Sequence, residues 1–214
     1  MQGYLTYRVQ HAWQMLNWHG PRQYLGRLAQ RWGQGLYKRH DSIVFRRDLR
    51  APVQLLPAKV ALTVEAYTEP RREEVFRFLD HHMRRDLAER HLADGWTPML
   101  GFYEGELVAL SWFTLSPLYL DSVELYLDYG GRSGYIEGTY TDDRMRGLGV
   151  APAVRSHICA YLRELGCDQV FVAVGEDNTS SQAVARKCGF SPFESICLRR
   201  LLGWRRYQRH RLQP

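Results

Sequence analysis

Six consecutive residues, Arg146-Gly147-Leu148-Gly149-Val150-Ala151, constrain this 214-residue chain more than any other stretch. They stand between a strand pattern, Gly134 to Thr141, and a helix pattern. In the latter, Val150, Val154, Ile158, Tyr161, Leu162 and Leu165 keep one face. Glycines at a strand-to-helix turn let the backbone approach an anion closely. The free N–H groups of the first helical turn then point at that anion, and the helix dipole adds attraction. The pyrophosphate of a nucleotide cofactor meets this description. A dinucleotide fold would need G-x-G-x-x-G, and position 152 is Pro152. The phosphate loop of nucleotide triphosphatases would need G-K-[ST], which is absent.

The flanking sequence reads as α/β. Ile43 to Phe45 is a short strand candidate, and Val60 to Tyr67 a longer one. Pro70 opens a helical stretch to about Leu92. Met99 to Phe102 and Glu106 to Phe113 flank the turn Tyr103-Glu104-Gly105 and predict a hairpin. Val123, Leu125 and Leu127 alternate with polar residues as in a half-buried strand. Gly166 closes the helix that follows the glycine turn. Gln169 to Val174 is a strand, Asn178 caps a second helix that Gly189 ends, and Phe193 to Leu201 returns as a strand. A mixed, mostly antiparallel central sheet flanked by helices is expected.

Two motifs carry a resemblance to a known family. Arg146-x-x-Gly149-x-Ala151 resembles the [QR]-x-x-G-x-[GA] signature of the GNAT N-acetyltransferases. Arg144-x-x-Gly147-x-Gly149 fits it two residues earlier. The later register is preferred, because it lets Arg146 to Gly166 match the family's helix without a gap. Asn178, Ser181, Gly189 and Phe190 fit the family's second landmark, N-x-x-[AS]-x-x-x-x-x-x-x-G-F. The resemblance covers residues 134–198 firmly, extends back to about residue 60, and does not cover residues 1–50. It implies acetyl-CoA, or another acyl-CoA, as co-substrate and transfer of the acyl group to an amine by direct attack within a ternary complex. It further implies that Arg146, Gly147, Leu148, Gly149, Val150 and Ala151 hold the pyrophosphate. Thr139, Tyr140 and Thr141 would run beside the pantetheine arm, and Asn178 would touch it.

The resemblance breaks at one position. The family often has a tyrosine seven residues after the asparagine, where it protonates the leaving thiolate. Here that residue is Ala185. Ser181 is the nearest substitute: its hydroxyl can donate to sulfur, or it can serve only the helix start. An alkyl ammonium with a pKa of roughly 10 must lose a proton before it attacks a thioester. Glu137, on the signature strand, is the candidate base. With strict alternation it shares a face with Thr139, and a bulge would break that parity. Glu124 and Asp128, expected on the neighbouring strand, are candidate partners for a cationic amine.

Charge is distributed unevenly. Residues 1–50 carry nine Lys or Arg against two Asp, and residues 199–214 carry six Arg and no acid. The net charge of +6 therefore hides an acidic middle. Residues 1–50 are expected to form a basic, amphipathic, helical extension, and residues 51–214 the acyltransferase domain. The extension's Trp and Leu stripe either packs on protein or lies on a membrane; packing is the expectation. The basic ends suit an anionic surface, a membrane leaflet or glycan rather than nucleic acid. The acceptor is an amine on a small molecule, glycan or protein. A GNAT-like module that binds acyl-CoA with little turnover is the rival reading, as is a membrane-surface transferase. No signal segment is read at the start, and a cytoplasmic location, peripheral to the inner membrane surface in the rival reading, is expected. The four cysteines, Cys159, Cys167, Cys188 and Cys197, lie in apolar segments or beside glycine and read as packing residues. His81, His82 and His157 lack metal spacing, so no metal is expected.

Overall fold

Strand β4, Glu106–Thr114, is buried at every position after the first. Both of its edges are paired and both of its faces are covered, so its sequence is nearly continuous in apolar residues. The computed structural model describes residues 37–80, 85–120, 122–202 and 204–212. The strands are β1 Tyr37–Asp48, β2 Leu62–Ala66, β3 Thr97–Tyr103, β4, β5 Leu118–Leu120, β6 Leu125–Leu127, β7 Ser133–Thr141, β8 Gln169–Gly175, β9 Ser191–Leu201 and β10 Trp204–Arg211. The helices are α1 Arg72–Leu79, α2 Arg85–Ala93, α3 Val150–Glu164 and α4 Thr179–Lys187.

The chain divides into two compact units. The larger comprises residues 41–196 and 208–214. The main sheet runs β10-β9-β1-β8-β7-β4-β3-β2. Strands β7 and β8 run parallel, joined through α3, while β1–β8, β2–β3, β3–β4 and β4–β7 are antiparallel. A mixed, mostly antiparallel sheet flanked by helices is thus what the sequence patterns predict. One face carries α3, with Val150, Val154, Ile158 and Leu162 packed among Ala109, Phe113 and Ile136. The other carries α1 and α2, where Val75, Phe76, Leu79 and Ala88 meet Leu100, Leu110 and Trp112. Each fully buried side chain of this size contributes roughly 1.5–3 kcal/mol. The smaller unit comprises residues 1–40 and 197–207. Its described part is residues 37–40, 197–202 and 204–207, in which Leu201, Leu202 and Trp204 are exposed.

Three expectations change. Residues 37–48 of the expected extension are strand β1, paired with β8 from Ser42↔Gly175 to Asp48↔Gln169. The helices expected over residues 1–36 lie outside the described residues, as do His81 and His82. The single helix from Pro70 to Leu92 is instead α1 and α2, preceded by a 3-10 turn at Glu69–Arg71. Glu124 and Asp128 do not flank β7, because β6 pairs with β5 in a separate two-stranded sheet. Glu124 adopts φ +50, and Asp128 accepts the Gly130 N–H at 2.9 Å, so both serve turns.

Candidate active site

Parallel pairing between β7 and β8 runs from Ser133↔Gln169 to Ile136↔Val172 and stops there. Both strands continue, β7 against β4 and β8 against β1. Past Ile136 they part, and the facing edges border a cleft of about 980 Å³. The cause lies in β7. Trp112 pairs with Glu137 and Ser111 with Thr139, so Gly138 is an extra residue, a bulge at φ +52. A bulge of this kind bends its strand and suits glycine, which alone takes positive φ without strain.

The bulge decides which side chains meet. Cross-strand partners share a face, so Glu137 lies with Trp112, Tyr140 with Leu110, and Thr139 with Ser111 on the other side. On the α3 side, the Thr139 and Ser111 hydroxyls lie 2.9 Å apart. On the α1/α2 side, Glu137 Oε2 is 3.7 Å from Nε2 of His91. His91 Nδ1 lies 2.9 Å from the Leu87 carbonyl, which can only accept, so Nδ1 carries a proton and Nε2 is left to face the carboxylate. The His91 ring packs against Trp96 and Trp112, with centroids 5.0 and 5.2 Å away. Burial, and then the Glu137 charge, raise the Tyr140 pKa.

The glycine turn closes the other end. Asp142 begins a 3-10 turn over Asp143–Met145 and accepts the Arg144 N–H. Gly149 is the N-cap of α3 at φ +80 and supplies no side chain to the first turn. The first-turn amides of Val150 and Ala151 therefore have no capping side chain, and Pro152 has no N–H. Arg146, Gly147, Gly149, Val150 and Ala151 border the cleft, and so do Thr139, Tyr140 and Thr141. Leu148 does not. It packs against the core, and its carbonyl accepts the Lys59 N–H at 2.8 Å, tying the preceding segment to the turn. The Arg146 side chain pairs with Asp143 at 2.7 Å.

Helix α4 supplies the opposite wall. Asn178 Oδ1 accepts from the Ser181 N–H and the Ser180 hydroxyl, each at 3.0 Å, and so caps the helix. Asn178 and Ser181 border the cleft. Ala185, one turn on, is fully buried in the core. Glu137 does not border the cleft; it precedes Gly138, which does. Sequence reasoning missed two residues here. His91 reaches Glu137 from a helix 46 residues away and gives no local signal. Arg155 is 2% exposed and borders the cleft. Its helical position, in line with Ala151, Cys159 and Leu162 on the buried side, is legible, but arginine on a helix ordinarily faces water.

The cysteines are free, with Cys159, Cys167 and Cys188 buried, and burial pushes Cys159 up to about 12. His157 Nδ1 lies 3.0 Å from the Ala153 carbonyl, a packing role. Among the described residues no group of three His, Cys, Asp or Glu is placed to hold a metal, and no helix is long and apolar enough to cross a membrane.

Comparison with known proteins agrees with this geometry. No curated protein matches the chain in sequence. In structure it is similar to a GCN5-related N-acetyltransferase from Sphaerobacter thermophilus, with TM-score 0.60 and 14% identity over 84% of this chain and 56% of that one. A GCN5-related glucosamine N-acetyltransferase region of a fungal multi-domain GH3 β-N-acetylglucosaminidase gives TM-score 0.60 and 14% identity, over 83% of this chain and 23% of that one. A GNAT-family acetyltransferase from Colwellia psychrerythraea gives 0.53 and 12%, over 73% and 53%. The chain thus spans at most 56% of the length of these three structures. The profile of the Acetyltransferase (GNAT) family matches residues 62–190, from β2 to the end of the Asn178 motif. The chain belongs to the GNAT acetyltransferase family.

Proposed function

We propose that this protein transfers an acyl group from acyl-CoA to an amine within a ternary complex. The observation that carries the reading is the parting of β7 from β8 beside the uncapped start of α3. The site residues fit CoA. Amides of Gly147, Gly149, Val150 and Ala151 and the dipole of a 15-residue helix suit its pyrophosphate. The open edges of Gly138–Thr141 and Ala173–Gly175 offer backbone groups to the pantetheine amides, as a sheet edge does to an added strand. Asn178, which borders the cleft and caps α4, touches the same arm.

CoA supplies the activated thioester. Glu137 and His91 take the ammonium proton on the α1/α2 face, directly or through water. The neutral amine attacks the carbonyl, and a backbone N–H of Thr139–Thr141 stabilises the oxyanion. As the C–S bond breaks, Ser181 donates to the departing thiolate, and the amine's second proton balances the charge. The acceptor is an amine on a small molecule, glycan or protein. Thiol release from acyl-CoA across a panel of such amines tests the reading. Amine-dependent release supports it, and CoA binding without release from any amine contradicts it.

We also propose that residues 199–202 and 204–206 dock on an anionic membrane surface. Leu201, Leu202 and Trp204 are 57%, 67% and 85% exposed and are bracketed by Arg199-Arg200 and Arg205-Arg206. Apolar residues at a hairpin tip with arginines behind them suit the boundary between acyl chains and anionic headgroups. Co-sedimentation with phosphatidylglycerol vesicles, lost in W204S/L202S and absent with phosphatidylcholine, supports this. Equal sedimentation of wild type and variant contradicts it.

A further inference from the structure

Acyl transfer as proposed above leaves Arg155 without a role. Its guanidinium is buried in the cleft wall, and Nη2 donates to Thr139 Oγ1 at 3.0 Å. Nε and Nη1 are also buried, and neither has a hydrogen-bond partner among the described residues. No carboxylate among them pairs with it. The thiols of Cys159 and Cys188 lie nearby, but burial pushes both pKa values up and keeps them neutral. A guanidinium stays protonated in proteins, and buried charges are ordinarily paired. An anionic group on a bound ligand would pair with it.

Position narrows what that anion is. The Arg155 guanidinium is anchored at the Thr139 hydroxyl of β7, not at the first-turn amides that suit pyrophosphate. Its partner Thr139 directly follows the Gly138 bulge, where the thioester carbonyl belongs. The Glu137–His91 pair, which receives the amine, is on the opposite face of the sheet. The missing charge is therefore on the acyl group and not on the acceptor.

We infer that Arg155 binds the free carboxylate of a dicarboxylic acyl group, so that the preferred donor is a malonyl-, succinyl- or glutaryl-type CoA thioester. The inference rests on the CoA reading of the cleft. A neutral acyl group would leave the cation buried and unpaired in the complex, whereas a terminal carboxylate completes it with a charge-assisted hydrogen bond.

Calorimetric titration of the full chain with CoA, butyryl-CoA and succinyl-CoA tests it, since the two thioesters differ little in size but by one charge. Wild type is expected to bind succinyl-CoA at least tenfold more tightly than butyryl-CoA. Arg155→Leu is expected to erase that ratio while binding butyryl-CoA as well as wild type does. Equal affinities in wild type overturn the inference, with or without a folded variant. A parallel loss of all three ligands in Arg155→Leu also overturns it, by assigning Arg155 to the pantetheine arm. Failure of wild type to bind even CoA overturns the CoA reading itself, a different result from equal binding.

Discussion

Glu137 and Thr139, two residues apart on β7, lie on opposite faces of the sheet. In a regular strand they would share one. The extra residue between them turns one strand into two half-sites: a carboxylate toward α2 and His91, and a hydroxyl toward α3 and Arg155.

Gly138→Ala tests that device. An added Cβ would sit 3.1 Å from the Tyr140 ring, at a φ of +52. Positive φ costs a residue with a side chain roughly 1–2 kcal/mol. Denaturant unfolding is expected to report a loss of about that size, with acyl-CoA affinity reduced as the strand regularises. Unchanged stability and affinity would show that the bulge tolerates a side chain.

Glu137→Gln separates proton transfer from binding. Glu137 lies outside the cleft lining, so acyl-CoA affinity should be unchanged. A positioned base contributes roughly 10²–10⁴-fold, and kcat should fall within that range. Steady-state kinetics beside calorimetry check this; a normal kcat would remove Glu137 from the mechanism.

Ser181→Ala separates catalysis from capping. Asn178 accepts from the Ser181 backbone N–H, which alanine keeps. Thermal stability should hold while kcat falls and KM for acyl-CoA stays. Asn178→Ala should instead cost about 1 kcal/mol of stability through the lost cap. A Ser181→Ala enzyme with full kcat would leave the thiolate to water.

Glu194 governs acid stability. Its carboxylate is 4% exposed, receives Tyr129 OH at 2.6 Å, and accepts two Arg209 hydrogen bonds at 2.9 and 2.7 Å. Burial raises its pKa, but the Arg209 and Tyr129 hydrogen bonds outweigh that and hold it below the usual carboxylate range. A depressed folded pKa means the stabilisation is complete above the unfolded value and is lost as pH falls through the folded one. Glu194→Gln should lose about 2 kcal/mol near neutrality, and the gap to wild type should close in acid. Urea midpoints across pH check it; a constant gap would exclude the carboxylate's charge as the cause.

What could be read in the sequence was what is local. The glycine turn, α3, β8 and the Asn178 cap each announce themselves within a dozen residues, because helix periodicity and capping are short-range. Strand β1 did not: only Ile43, Val44 and Phe45 look like strand, and its partner β8 lies more than 120 residues on. Arg155 was hidden by its type, since arginine on a helix ordinarily faces water. His91 was hidden by distance, since only the folded sheet brings α2 to Glu137.

Calorimetric titration of acyl-CoA into wild type and Ala151→Asp tests the central claim most directly. Ala151 is the second residue of α3 and borders the cleft. A carboxylate there favours the helix dipole, so the fold should keep or gain stability, yet it would repel a pyrophosphate. The account predicts saturable binding by wild type that survives moderate salt and at least a hundredfold loss in Ala151→Asp at an unchanged or higher melting temperature. Equal binding by both proteins, or none by wild type, would contradict it.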